Sequence, residues 1–201
     1  MSETIINTSN PLQGERVAGT VGFALPSQRV RVADEAGVPV PAGEVGMIEV
    51  AGPNVFQGYW RMPEKTAEEI RADGFFITGD LGVQAADGRL SIVGRSKDLV
   101  ISGGYNVYPK EVEVALDDMA QVSESAVIGV PHPDFGEAVV AVIVPVADEV
   151  TQAQVDAALG DQLARFKQPK RVMNVTELPR NTMGKVQKNV LREQYADLFR
   201  A

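Results

Sequence analysis

"GRSKDLVISGGYNVYPKEVEVALDDM", residues 94–119, divides the chain into two textures. Its first five residues, 94–98, are polar and short, as a linker between domains would be. "DLVISGG" after them reads as a strand ending in glycines. "YPKEVEVALDDM" reads as a helix that buries Val112, Leu116 and Met119 at spacings of four and three. Before this stretch lie turns and short alternating runs. "RVRV" (29–32), "VGMIEV" (45–50), "GFFITGDLG" and "RLSIVG" are strand-like. Asp87-Gly88 marks a hairpin turn between the last two. "PEKTAEEIRADG" (63–74) is a short helix, with Pro63 tolerated in its first turn and Gly74 after its end.

After the stretch, strands alternate with helices. "SAVIGV", "AVVAVIVPV" and "RVMNV" are β. "TQAQVDAALGDQLARF" is a helix with Val155, Leu159, Leu163 and Phe166 on one face and Thr151 as its N-cap. "QKNVLREQYADLF" is a final helix with Leu191, Tyr195 and Leu198 inward. The expected fold class is therefore α+β. A β-rich unit, 1–95, precedes a compact α+β unit, 96–201, with a three-stranded sheet and three helices.

The totals narrow the function. The 201 residues are 44% hydrophobic, enough to bury a core. A net charge of -8 argues against nonspecific nucleic-acid binding. The chain has no cysteine and one histidine, His132, which removes disulfides, thiolate zinc sites and histidine-rich metal sites together. No apolar stretch approaches the roughly 20 residues that span a bilayer. "MSETIINTSN" lacks the basic-then-apolar pattern of a secretory signal. A soluble, cytoplasmic protein that binds neither nucleic acid nor membrane is expected.

Several short constellations are ambiguous one at a time. Lys185 in "LPRNTMGKVQK" (178–188) is not a Walker lysine, because Pro179 stands where that motif needs glycine and Val186 where it needs Ser or Thr. From spacing alone it reads as a solvated lysine, although a cation at a helix start opposes the macrodipole by a few tenths of a kcal/mol. Asp80 in "TGDLG" is a turn aspartate or a carboxylate aimed at hydroxyls. Arg95 is a surface ion-pair residue or a ligand contact. The glycines of "SGGYN" (102–106) make a turn or admit a ligand. Glu3 and Glu111 read as solvated carboxylates, and His132 as a turn residue.

Taken together, "GYWRMPEKT", "GFFITGDLG", "GRSKDLVISGGYNVYPKEVE" and "LPRNTMGKVQK", in this order and spacing, resemble the adenylate-forming acyl-CoA synthetases. The resemblance covers essentially the whole chain. It is closest to malonyl-CoA synthetases, through "GYWRMPEKTAEEIRADGFFITGDLG", "ESAVIGVPHPDFGE" and "PRNTMGKVQKNVLR".

Such enzymes join a carboxylate to ATP as an acyl-adenylate, then pass the acyl group to coenzyme A. Between the steps a small C-terminal domain rotates. The resemblance implies that 1–95 ends the large adenylation domain and 96–201 is the mobile domain, with a hinge at about 94–98. It makes Lys185 the adenylation lysine and Asp80 the acceptor of both ribose hydroxyls. Arg95 becomes a second ribose contact, Ile92 an apolar contact near the adenine, and Lys97 the hinge. Ser102, Gly103 and Gly104 would line the pantetheine tunnel, and Arg165, Lys167 and Lys170 could meet CoA phosphates.

Ser2 and Glu3 fall on the phosphate-binding hydroxyl and the magnesium-binding glutamate of an aromatic-Gly-x-Thr-Glu motif, whose aromatic-Gly this chain does not include. The phosphate loop and most of the acid pocket are not among these residues either. The implied ligands are ATP or AMP, Mg and coenzyme A. A chain of this length is less than half a typical member and is expected to be inactive alone, its partner being an N-terminal half or a full-length homologue. Other readings are a non-catalytic remnant or interaction module, or a ligase segment for another acid such as acetate or a medium-chain fatty acid.

Overall fold

The structure, a computed structural model, describes Met1–Arg200. The chain forms two compact units, Met1–Lys97 and the residues from Asp98 onward.

In the first unit, β1 (Thr8–Ser9) and β2 (Phe23–Ala24) make a small antiparallel ribbon. β3 (Arg29–Ala33), β4 (Val45–Ala51), α1 (Pro63–Glu69), β5 (Phe76–Gln84) and β6 (Leu90–Arg95) follow. The four strands form an antiparallel sheet in sequence order. Strand alternation sends Val32, Ile48, Val50 and Leu90 into one core. Arg31 leaves on the other face of β3 and meets Glu49 directly across the ladder. Glu49 is fully buried and is gripped by Arg31 Nη2 at 2.7 Å and Arg71 Nε at 2.6 Å. The Arg31 guanidinium also lies 3.7 Å from the Phe75 ring centroid and bonds Asp73. Between β4 and β6 only glycine fits at position 82, since a Cβ there would lie 2.6 Å from Ile48 Cδ1 and 2.7 Å from the Ser91 carbonyl oxygen.

The second unit opens with a hairpin, β7 (Val100–Ser102) and β8 (Tyr105–Val107). Then come α2 (Pro109–Asp117), β9 (Val122–His132), β10 (Gly136–Pro145), α3 (Gln152–Leu159), β11 (Arg171–Asn174) and α4 (Lys188–Gln194). β10 is central, antiparallel to β9 and parallel to β11. Both faces of this sheet are covered. Val139, Ala141 and Ile143 pack under Val112, Leu116, Val155 and Leu159. Val140 and Val142 pack on the opposite side with Leu178 and Leu191. Burial on two sides is why "AVVAVIV" is a continuous apolar run and not an alternating one.

The α+β class holds, but the sheet has five strands instead of three. β9, β10 and β11 are the expected ones. The β7–β8 hairpin joins them through a single residue pair, Gly136 with Ser102, a contact too local to leave a sequence pattern. Helices α3 and α4 are shorter than their periodicity predicts. Gly160, which disfavours helix, follows Leu159, yet Leu163 and Phe166 still reach the core from the turns beyond. Thr151 caps α3 in a complete capping box with Gln154. Among the described residues, no helix is long and apolar enough to cross a membrane.

Candidate functional site

In the first unit, Asp80 and Arg95 face each other across β5 and β6. Arg95 Nε lies 2.7 Å from Asp80 Oδ1, with the guanidinium half exposed. Local bonds fix the carboxylate's strand. Thr78 is buried; its hydroxyl donates to the Ile48 carbonyl at 2.8 Å and accepts from the Asp80 N–H at 3.1 Å. Just beyond, the register shifts between Leu81 and Gly82, a device that re-aims a strand's side chains. Ile92, on the same strand as Arg95, is half exposed. An anion, a cation and an apolar surface thus stand on one pair of strands.

Ser2 is exposed in a turn at residues 2–4 whose last residue, Thr4, is buried. Glu3 is partly buried beside Tyr59, whose phenol oxygen lies 2.6 Å from Glu69 Oε2 and 3.3 Å from Glu3 Oε1. Burial, reinforced by the hydrogen bond to Glu69, pushes the Tyr59 phenol well above its ordinary value, so it stays a donor. The Phe56 ring bridges Tyr59 and Phe76, with centroids at 4.8 and 5.6 Å, and so links this corner to the start of β5. No group of three His, Cys, Asp or Glu side chains among the described residues could hold a metal by itself. One carboxylate such as Glu3 does fit the way Mg²⁺ is bound when substrate phosphates supply its other ligands.

In the second unit, Ser102 is buried, while Gly103 and Gly104 turn the β7–β8 hairpin. Ser102, Gly103, Tyr105, Phe135, Phe166 and Lys170, with Arg165, line a cavity of about 570 Å³. Tyr105 stacks on Phe166, ring centroids 4.6 Å apart, and remains mostly exposed on its outer side. Lys167 points elsewhere. Its ammonium binds both oxygens of Glu111, at 2.6 and 2.8 Å. The sequence did not announce the Tyr105–Phe166 pair; the only hint was a lone aromatic beside glycines and another beside basic residues.

Lys185 is exposed near the tip of a closed turn that precedes α4. Arg180 and Val186 pair across the turn, and Gly184 takes φ +79°, a conformation other residues rarely adopt. At the other end, Lys188 Nζ lies 2.6 Å from Glu113 Oε1, a buried carboxylate that also accepts the Val127 N–H. Lys185 therefore precedes α4 and does not stand in its first turn as the sequence suggested; the cation at the helix start is Lys188, paired with Glu113.

Lys97 is exposed in a single 3-10 turn, Ser96–Asp98. Its neighbours are tied down in different ways. The Ser96 hydroxyl donates to the Gly79 carbonyl at 3.2 Å within the first unit. Asp98 accepts two bonds from Arg192, at 2.9 and 3.2 Å, within the second. The predicted site residues therefore fall into two groups. Asp80, Arg95, Ile92, Ser2 and Glu3 belong to the first unit, and Ser102, Gly103, Gly104, Lys167 and Lys185 to the second.

Comparison with known proteins identifies the family. Residues 1–60 match the AMP-binding enzyme family and residues 111–185 the AMP-binding enzyme C-terminal domain. The chain belongs to the AMP-binding enzymes of the acid–thiol ligase type and carries a C-terminal portion of that architecture. It is similar over its whole length to the ATP-bound crystal structure of MatB from Rhodopseudomonas palustris, at 61% identity and a TM-score of 0.94, covering 40% of that chain. A probable CoA ligase of Humulus lupulus is 39% identical over 96% of this chain and 34% of its own length. The malonate–CoA ligase of Arabidopsis thaliana is 38% identical over 96% of this chain and 33% of its own length. The chain thus spans about a third of the length of these curated relatives.

Proposed function

We propose that these residues serve an acid–CoA ligase that makes malonyl-CoA or methylmalonyl-CoA through an acyl-adenylate. The observation that carries the reading is the exposed Lys185 on a closed turn in a chain similar end to end to an ATP-bound relative. The choice of acid is supported by the likeness to a malonate–CoA ligase and by the motif strings quoted above.

In the first half-reaction a carboxylate oxygen attacks the α-phosphorus of ATP and pyrophosphate leaves. The Lys185 ammonium offsets charge gathering between the attacking oxygen and the phosphate. That is electrostatic positioning, the main demand of chemistry at phosphorus. Asp80 accepts hydrogen bonds from the ribose hydroxyls and Arg95 adds a second contact. Ile92 offers the adenine an apolar surface. Ser2 contacts a phosphate, and Glu3 would help to hold the Mg²⁺ that travels with ATP.

In the second half-reaction the CoA thiol attacks the acyl carbon and AMP leaves with the bonding pair. Ser102, Gly103 and Gly104 line the path of the thiol arm. The exposed outer face of Tyr105 suits a stacked base, and Arg165 and Lys170 suit its phosphates. Lys167, held by Glu111, acts at most at the rim. Lys97 is the hinge between the two working arrangements.

The 201 residues include no Ser/Thr/Gly-rich phosphate loop; an N-terminal AMP-binding segment, on this polypeptide or on a partner such as a full-length homologue, supplies it. With that segment supplied, Lys185→Ala should lower adenylation about 10²- to 10³-fold. It should leave thioester formation from preformed acyl-adenylate nearly intact. Equal loss in both half-reactions would overturn the assignment.

A further inference from the structure

We propose that Asn181 is a positioning residue for Lys185, holding the lysine's backbone at both of its polar groups. The inference rests on the reading of Lys185 as the adenylation lysine, and deepens it. The Lys185 N–H donates to Asn181 Oδ1 at 2.9 Å, and the Asn181 N–H donates to the Lys185 carbonyl at 2.9 Å. The same residue takes two further bonds. Its side-chain oxygen accepts from the Met183 N–H at 3.0 Å, and its carbonyl accepts from the Gly184 N–H at 2.9 Å. One asparagine therefore closes the whole turn from 181 to 185. Asparagine suits the task because its short amide reaches backbone N–H groups two and four residues ahead without adding charge.

Arg180 fastens the closed turn to the sheet. One guanidinium nitrogen donates to the Gly184 carbonyl at 2.8 Å, and another pairs with the Glu124 carboxylate on β9. The Gln187 N–H bonds the Pro179 carbonyl at 2.8 Å below the turn. Lys185 itself is solvent-exposed, with its long stem free to sample many rotamers. What the fold can fix is the point from which that stem departs, and Asn181 and Arg180 are the groups that fix it. Misplacing a reacting group by about 1 Å can cost 10²-fold in rate.

The test compares Asn181→Ala with Asn181→Asp, which keeps the oxygen acceptor. In the 201-residue chain, amide hydrogen exchange at Lys185 is expected to speed up about tenfold in Asn181→Ala. It should stay near the parent rate in Asn181→Asp, and core amides of β10 should be unchanged in both. With an N-terminal AMP-binding segment supplied, Asn181→Ala should lower the turnover of adenylation by about 10- to 100-fold with little change in KM for ATP. Thioester formation from preformed adenylate should be spared. Unchanged exchange at Lys185 would overturn the proposal whatever the chemistry. Faster exchange with full adenylation, in an enzyme that Lys185→Ala does disable, would also overturn it. If Lys185→Ala itself had no effect, the adenylation reading would fall and the catalytic part of this proposal with it. The exchange data would show separately that the turn is built as described.

Discussion

Replacing Glu49 by Gln asks whether the first unit depends on its buried carboxylate. The side chain is inaccessible to solvent and is gripped by two arginines, Arg31 and Arg71, whose side chains are 17% and 22% exposed. Removing one partner of a buried ion pair costs about 3–5 kcal/mol, because the other is left uncompensated. Here the guanidinium groups keep some contact with water, and Arg31 keeps Asp73 and the Phe75 ring. The expected loss is therefore at the low end, about 3 kcal/mol. For a cooperative unit of this size that is a fall in Tm of roughly 12–24 °C. Calorimetry of the 201-residue chain should show one transition moving down while the transition of the second unit stays. Simultaneous Glu49→Leu, Arg31→Met and Arg71→Met should recover much of the loss, since well-packed apolar side chains often replace a buried charge cluster without penalty. The consequence reaches the site, because Glu49 pairs with Ile77 on β5, next to Thr78 and three residues before Asp80. A Glu49→Gln protein within about 0.5 kcal/mol of the parent, the ordinary scatter of a surface substitution, would refute this reasoning.

Three further outcomes follow from the same structure. Desolvation alone would raise the Asp73 pKa, but the hydrogen bond from Arg31 and the neighbouring charge outweigh it, so the carboxyl sits below its ordinary range. Its contribution to stability is thus full above the unfolded-state pKa of about 4 and is lost as pH falls through the lower folded value. Asp73→Asn should accordingly melt earlier than the parent at pH 6, with the gap closing at pH 2; a gap independent of pH would contradict the pairing. Leu159→Ala, in the core beneath α3, should destabilise the second unit by about 2–5 kcal/mol in urea unfolding. Lys97→Pro fixes φ near −65° between two tied neighbours and should slow one half-reaction far more than the other, while Lys97→Gly should be mild; equal slowing of both would make 94–98 an ordinary loop.

The fold was legible where local chemistry decides it. Asp87-Gly88 announced the β5–β6 hairpin, Thr151 announced the start of α3, and apolar runs announced β9 and β10. Of the two extra strands in the sheet, β7 lies in the run "DLVISGG" that reads as a strand, but its place in the sheet rests on one pair with β10, and the three-residue β8 carries too few residues for a period. Helix ends were overrun where apolar spacing continued past Gly160 into turns that still face the core. At the site, Gly184 gave away the lysine turn and Thr-Gly-Asp the carboxylate. The groups that hold them were hidden, because their contacts are set by folding at a distance. Arg71 reaches Glu49 from 22 residues away, Tyr105 on β8 meets Phe166 from a distant stretch of the chain, and Asn181 gains its contacts with Lys185 only when the turn closes.

The central claim, that these residues complete a malonate-activating ligase, meets its most direct test in pyrophosphate exchange. The purified chain is combined with an N-terminal AMP-binding segment, and exchange of labelled pyrophosphate into ATP is followed with malonate, methylmalonate, acetate and octanoate in turn. Exchange should appear only when both pieces are present, should be strongest with malonate or methylmalonate, and should vanish in Lys185→Ala. Exchange that persisted without Lys185, or no exchange with any acid from a correctly folded pair, would contradict the account.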